Sequence, residues 1–314
     1  MKRVLYILLT LIITTGLIGC DINNNARDTA TYEQQNSSDY TFTDSLGNTV
    51  TVNNPKRVVS LYGSFAETWL LAGGKLVGTT KDAVEERDFG LKDVDIIGTV
   101  QEPNLEEIML LNPDFIIMSA DITKQVQFKG VFDSAGIPYA YFRVDTGDDY
   151  LKMMRTLCDI TGRDDLYKSN GVNVISQVDD VIYSCEGKEQ HSILLIRAFS
   201  NGVKAKLDDN VAGVILRDLN TYNIAEKHPS LLDELSLEEV VAEDPYFIFV
   251  VPIGDTDEAY ETLKRTVIDN PIWSELSAVK NDRFIILPKE LFHYKPNSRW
   301  GESYEYMAEI LYGD

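Results

Sequence analysis

The chain has 314 residues, 44% of them hydrophobic, with 50 acidic against 29 basic side chains and a formal net charge of -21 at pH 7. That balance argues against nucleic-acid binding, which needs clustered Lys and Arg to displace counterions from phosphates. It favours solubility and leaves the identity of any small ligand open.

The first residues read as an export leader. Lys2 and Arg3 supply a positive start, and residues 4–18 form an apolar run broken only by Thr10, Thr14, Thr15 and Gly16. The run is shorter than the ~20 apolar residues of a membrane-spanning helix, and no basic stop-transfer cluster follows it. Leu17, Ile18, Gly19 and Cys20 match the lipobox at which bacterial lipoproteins are cleaved and diacylated on cysteine. Residues 1–19 are therefore expected to be a lipoprotein signal peptide, with Cys20 holding the mature chain to the membrane through its acyl chains. Residues 20–39 are polar, with three consecutive asparagines and almost no large apolar side chain. Such a composition cannot bury enough surface to offset the entropy of ordering and is expected to be a flexible tether. Cys158 and Cys185 fall in helical patterns and are expected as free buried thiols, although an exported protein permits a disulfide.

The folded part opens with alternating residues around Leu46, Gly47 and Asn48, which predicts a hairpin ending at Val52. Short apolar runs then alternate with amphipathic stretches. Strands are predicted at 58–61, 76–79, 115–118 and 139–142, and helices near 64–72, 104–111 and 124–134, the order of an α/β lobe over residues 40–147. Residues 148–186 are helical in pattern and too long for an ordinary loop, as expected of a connection between lobes. A second alternation fills 187–314, with strands at 193–196, 246–251 and 284–287 and helices near 211–219, 237–242, 257–267 and 303–311. The fold class expected is α/β: two Rossmann-like lobes joined by helix, with a cleft between them.

The halves carry an echo. Asn104, Leu105, Glu106, Glu107 and Ile108, followed by Asn112, Pro113 and Asp114, match Ser236, Leu237, Glu238, Glu239 and Val240, followed by Asp244, Pro245 and Tyr246, at a constant offset of 132 residues. Asn104 and Ser236 suit helix N-caps, and Glu107 and Glu239 are spaced to close a capping box. Glu106 and Glu238 have no such duty, and each puts a carboxylate in the first turn of its helix, where it could also serve only as a partner to the helix dipole.

These residues, taken in order, resemble the class III substrate-binding proteins of ABC importers, which serve siderophores, haem and cobalamin. The likeness runs from Pro55, Lys56, Arg57, Val58, Val59 and Ser60 through Glu67, Gly98, Gly136, Ile137 and Pro138. It continues through Ile160, Thr161, Gly162 and Arg163, then Trp273, Ala278, Val279 and Lys280, to the closing segment 292–312. The resemblance implies a monomeric, extracytoplasmic, lipid-anchored protein with a rigid two-lobe fold, a small-molecule ligand held between the lobes with modest closure, and an ABC permease as partner. In the cobalamin-binding relatives one glutamate per lobe docks into arginine-lined pockets of the permease, and the resemblance places those roles on Glu106 and Glu238.

Parallel α/β sheets meet ligands at the carboxyl ends of their strands. Candidates for the cleft are therefore Tyr62, Gly63 and Ser64, then Lys81 and Asp82, then Ser119 and Asp121, then Arg143. The second half offers Arg197, Phe199 and Ser200, and the late cluster His293, Tyr294, Lys295, Arg299 and Trp300. Aromatic faces pack a bulky planar complex and guanidinium groups pair with its anionic oxygens, which suits a ferric siderophore or haem. Each candidate also has a plainer reading: a core aromatic, a salt-bridge partner on an acidic surface, or an ordinary hydrogen-bonded histidine.

Cobalamin and a bare transition metal are the alternative cargoes. The second would require metal-ligand spacing that His191, His228 and His293 lack locally. No Gly-x-Ser-x-Gly elbow, His-Glu-x-x-His motif or phosphate-cradling loop is present to support a surface hydrolase. The protein is expected to be a binding protein rather than an enzyme, with no resident cofactor; an adhesin or receptor module is the remaining reading.

Overall fold

The computed structural model describes residues 39–87 and 89–313. The leader, Cys20 and nearly all of the expected tether lie outside the described residues; Asp39, which closes that stretch, already belongs to the first strand.

β1 (Asp39–Thr43) and β2 (Thr49–Asn53) form an antiparallel hairpin in register Asp39↔Asn53 to Thr43↔Thr49. Gly47 takes φ +82 in its turn, a conformation that costs a residue without Cβ little. The Asp44 carboxylate accepts backbone N–H bonds from Leu46 at 2.9 Å and Asn48 at 2.8 Å. It also accepts one from Tyr141 at 3.1 Å. This buried acid both shapes the turn and fastens the hairpin to the lobe behind it.

The N-terminal lobe follows as β3 (Val58–Ser60), α1 (Gly63–Leu71), β4 (Leu76–Thr79), α2 (Lys81–Glu85), β5 (Asp95–Ile96), α3 (Leu105–Leu110), β6 (Phe115–Ser119), α4 (Thr123–Gln127), α5 (Lys129–Ala135) and β7 (Tyr139–Phe142). Its sheet is parallel, in the order β5-β4-β3-β6-β7. Strands β3, β6 and β7 are buried along their whole length, as strands covered by helices on both faces must be, which is why they read as continuous apolar runs. The single helix expected near 124–134 is two, divided at Phe128, whose ring is buried against Phe132.

The connection is α6 (Gly147–Thr161), α7 (Asp164–Tyr167), a π-helical turn over Lys168–Val172 and α8 (Asn173–Cys185). Thr146 and Asp149 close a capping box at the start of α6, and Gly162 ends it at φ +70, a left-handed stop for which glycine is suited. The C-terminal lobe holds β8 (Ser192–Phe199), β9 (Gly202–Ala205), α9 (Val211–Asp218), β10 (Tyr222–Asn223), α10 (Leu237–Glu243), β11 (Phe247–Pro252), α11 (Thr256–Leu263), α12 (Ser277–Lys280), β12 (Phe284–Ile286), α13 (Lys289–Phe292) and α14 (Trp300–Tyr312). Its sheet is parallel in the order β10-β8-β11-β12, with β9 folded back antiparallel on β8.

The fold is the α/β one read from the pattern, two Rossmann-like lobes joined by helix. One buried apolar cluster runs through both lobes, from Val58, Phe115 and Ala140 through Met154, Leu157, Val174 and Val178 to Tyr304, Met307, Ile193 and Phe249. The other two clusters lie within single lobes. Cys158 and Cys185 are free and buried.

A candidate ligand-binding cleft between the lobes

In each sheet the strand order reverses beside the lobe's first parallel strand, between β3 and β6 and between β8 and β11. Such switch points leave a crevice at the carboxyl ends of the strands. The crevices face one another across a cavity of about 430 Å³. The N-terminal lobe contributes Tyr62 and Phe65 after β3, Val100 and Gln101 after β5, Ser119, Asp121 and Ile122 after β6, and Val144 and Asp145 after β7. Arg197 comes from β8, Asp209, Asn210 and Val211 from the loop into α9, and His293 and Lys295 from the segment between α13 and α14. A recess of similar size, about 420 Å³, lies between β2, α5 and the start of β7, away from the strand ends that converge on the cleft.

Three acids line the cleft, and each is already matched. Asp121 accepts from Arg143 at 2.6 Å, Asp145 pairs with Lys295 at 3.0 Å and Asp209 with Lys206 at 2.7 Å. Arg197 is different: among the described residues it has no ion pair, and its Nε is buried without a hydrogen-bond partner. Burial lowers its pKa, opposed by Asp209 and Tyr62. The Nδ1 of His293 is likewise buried and unpartnered. Burial, reinforced by Arg197, Lys289, Arg87 and Lys295, pushes this imidazole down to about 3, so it is neutral at physiological pH. A half-buried guanidinium whose Nε is an unused donor, beside a neutral imidazole, is costly to maintain and ready to receive an anionic oxygen.

Of the residues singled out from sequence, Tyr62, Ser119, Asp121, Arg197, His293 and Lys295 meet at this cavity. The others lie elsewhere. Ser64 is buried in α1 and accepts a hydrogen bond from Arg87 at 2.7 Å. Lys81 is exposed and pairs with Glu85 at 3.2 Å, and Asp82 accepts the Gly63 N–H at 2.9 Å. Arg143 touches the cleft only through Asp121. Phe199 ends β8 opposite Gly202 at the turn into β9. Tyr294 bonds Glu86, and Arg299 forms a two-pronged pair with Glu302 at 2.6 Å. Trp300, expected at the cleft, is 0% exposed: α14 begins at this residue and turns its indole into the core shared by the lobes.

Asp145, Asp209, Asn210, Gln101 and Phe65 also line the cavity and were not singled out from sequence. The short strands β5 and β9 set the positions of Gln101 and of the 206–210 loop, and neither is long enough to show a period in sequence. Among the described residues no group of three His, Cys, Asp or Glu side chains is placed to hold a metal ion.

The glutamates of the echo are both exposed, Glu106 in the first turn of α3 and Glu238 in the first turn of α10. Asn104 caps α3 and Ser236 caps α10 as expected. The second arm of each capping box is not formed; Glu239 instead accepts from Ser230 at 2.8 Å.

The family model described as "Periplasmic binding protein" matches residues 58–291. The Fe(3+)-citrate-binding protein YfmC of Bacillus subtilis (strain 168) is 27% identical over 271 residues, 84% of this chain and 82% of its own. The petrobactin-binding protein YclQ of the same strain is 26% identical over 247 residues, 74% of this chain and 75% of its own. Among solved structures, Staphylococcus aureus IsdE complexed with heme superposes with a TM-score of 0.68 at 17% identity, covering 82% of this chain and 98% of that one. The match begins at the first strand of the N-terminal sheet and ends at the helix before His293, taking in both sheets that frame the cleft: the chain belongs to the periplasmic binding protein family, a family of binding proteins rather than enzymes.

Proposed function

We propose that this chain is the lipid-anchored substrate-binding protein of an ABC importer and that its cargo is an anionic ferric complex, a ferric siderophore or haem. The observation that carries this reading is Arg197, half-buried and without an ion pair among the described residues, whose buried Nε has no partner and which lines a cavity of about 430 Å³ between the lobes. Carboxylate oxygens of a ferric chelate, or haem propionates, supply what that donor lacks. The names of two relatives, one binding Fe(3+)-citrate and one petrobactin, point to the same chemistry. Tyr62, T-stacked on Phe65 with centroids 4.8 Å apart, offers an aromatic wall to the body of the complex.

Trp69, Trp273 and Trp300 provide a fluorescence signal for titrating the folded body with ferric citrate, ferric siderophores, haem and cobalamin. Saturable quenching by an iron complex, corrected for inner-filter absorption, is expected; response to cobalamin alone overturns the iron reading. Arg197→Met should weaken that binding about 10- to 100-fold, the worth of a charge-assisted bond or two, without lowering the melting temperature, because the methionine leaves no unpaired polar atom behind.

Delivery runs through the permease, and Glu106 and Glu238 are the proposed docking carboxylates. Charge reversal at both should abolish uptake while leaving ligand affinity intact; transport that survives removes the assignment. Anchorage through Cys20 predicts that Cys20→Ala releases the protein from membranes.

A further inference from the structure

Tyr294, Lys295 and Asn297 follow α13 of the C-terminal lobe, yet their side chains bond to the N-terminal one. Asn297 is 1% exposed and sits in the left-handed region at φ +54. Its amide nitrogen donates to the Ser64 carbonyl at 2.8 Å and to the Glu67 carboxylate at 2.7 Å, and its amide oxygen accepts from the Thr68 hydroxyl at 3.2 Å. Arg87, its side chain 7% exposed, pairs with the same Glu67. It also donates to Ser64 Oγ at 2.7 Å and to the Lys295 carbonyl at 3.3 Å. Its guanidinium lies 4.7 Å from the centroid of Tyr294, and the Tyr294 hydroxyl bonds Glu86. Lys295 reaches Asp145 at 3.0 Å.

Stability alone is a poor reason for this arrangement. Burying an arginine, a glutamate and an asparagine together costs about as much desolvation as their mutual bonds return, and apolar side chains of equal volume often do as well. What the network does achieve is placement. Its anchors in this segment, the side chains of Tyr294 and Asn297 and the carbonyl of Lys295, lie within four residues of His293 and at Lys295, the two residues that this part of the chain contributes to the cleft.

We infer that Arg87 and Asn297 are positioning residues that clasp segment 293–297 to α1, so that His293 and Lys295 form one fixed wall of the cleft with Tyr62 and Phe65. On the opposite wall, the exposed Asp208 and Asp209 between β9 and α9 are then the part free to move about a ligand. The division of the molecule into moving parts thus departs from its division in sequence, because a piece of the C-terminal half rides with the N-terminal lobe.

Asn297→Gly tests the clasp, since glycine keeps the left-handed backbone without strain while removing three side-chain bonds. Arg87→Met and Arg87→Lys accompany it; lysine restores charge but not the guanidinium fork. Two ligand-free readouts apply to the folded protein: amide hydrogen exchange along 289–299, and imidazole NMR titration of His293, assigned by difference against His293→Gln. In the wild type, segment 293–297 should be protected to the same degree as α1. In Asn297→Gly and Arg87→Met its exchange should rise about tenfold or more with β8 unchanged, and His293 should titrate closer to its ordinary 6.5. Arg87→Lys should fall between them and the wild type. Exchange in the wild-type segment that is already fast beside α1 overturns the inference, whether or not the variants fold. So do folded variants whose exchange and His293 titration match the wild type.

Discussion

His293 ties the cleft to the stability of the whole chain. Burial, with Arg197, Lys289, Arg87 and Lys295 around it, lowers its pKa from 6.5 to about 3. Between those values the unfolded chain holds a proton that the folded one refuses, so unfolding takes up protons and stability rises with pH. The contribution is complete above 6.5 and is lost as pH falls toward 3; at pH 5 the loss is about 2 kcal/mol. Glu67 works in the opposite sense. Burial raises its pKa against the pull of Arg87 and Asn297, which favours folding on the acid side and gives that stability up as pH rises through the folded value. His293→Gln separates the two: in urea titrations the wild type should lose about 2 kcal/mol more than the variant between pH 7 and pH 5. Equal losses would show that the imidazole is not held neutral by its surroundings. At this scale a residue's place at the cavity was legible where residue type and strand ends sufficed, as for Tyr62, Arg197 and His293. It was not legible where a distant partner decides, because nothing local says that Asp145 will meet Lys295 or that Lys81 will turn outward to Glu85. Trp300 is a different miss: with Tyr304, Met307 and Leu311 it makes a buried stripe at helical spacing, a signal present in the sequence once the helix is started three residues earlier than expected.

At the scale of elements, long apolar strands and amphipathic helices announced themselves, while the two-residue strands β5 and β10 and the short β9 did not. The last of these matters for the cleft, because the turn back through β9 delivers the loop that carries Asp209 and Asn210. That loop is pinned twice to the start of α9. Asn210 caps the helix, accepting the Gly213 N–H at 3.2 Å and donating to the Leu207 carbonyl at 2.9 Å. Gly213 then lets the helix approach so closely that an added Cβ would lie 2.0 Å from the Leu207 carbonyl oxygen and 2.8 Å from the Asp208 Cα. Backbone cannot swing aside as a side-chain tip can. Gly213→Ala should therefore cost about 1–3 kcal/mol by overpacking and shift the 207–210 loop away from Arg197. Thermal melting gives the first effect and titration with the wild-type ligand the second, with affinity falling more than Tm alone explains. A variant as stable and as tight as the wild type would mean that the loop is not held by this contact.

For the molecule as a whole, the extent of closure follows from the shared core. The apolar cluster that begins in the N-terminal sheet continues through α6, α8 and α14 into the C-terminal sheet without a polar break. A large hinge motion would have to open that cluster to water, at about 25 cal/mol for each Å² of apolar surface exposed. Opening even 200 Å² or so costs about 5 kcal/mol, comparable to the whole stability of many domains. Movement is cheap only at the cleft rim, where Asp208 and Asp209 are exposed, while the buried Asn210 and Val211 hold the end of the 206–211 loop to α9. A compact body of this length has a radius of gyration of about 19 Å, and small-angle scattering with and without a saturating ferric complex should differ by less than about 1 Å. A contraction of several Å would require the lobes to part across their common core, so that result would displace both the rigid-body reading and the idea that binding is registered at one wall. A small contraction with strong protection confined to 206–211 would instead connect the pieces. The unpaired Arg197 gains its anion, its wall closes by a loop's movement, and the glutamates Glu106 and Glu238, each fixed to its own lobe, keep nearly the same spacing loaded and empty. If Glu106 and Glu238 dock a permease as proposed, a permease reading that spacing alone could not tell the two states apart, and discrimination of the loaded protein would fall to the cleft mouth.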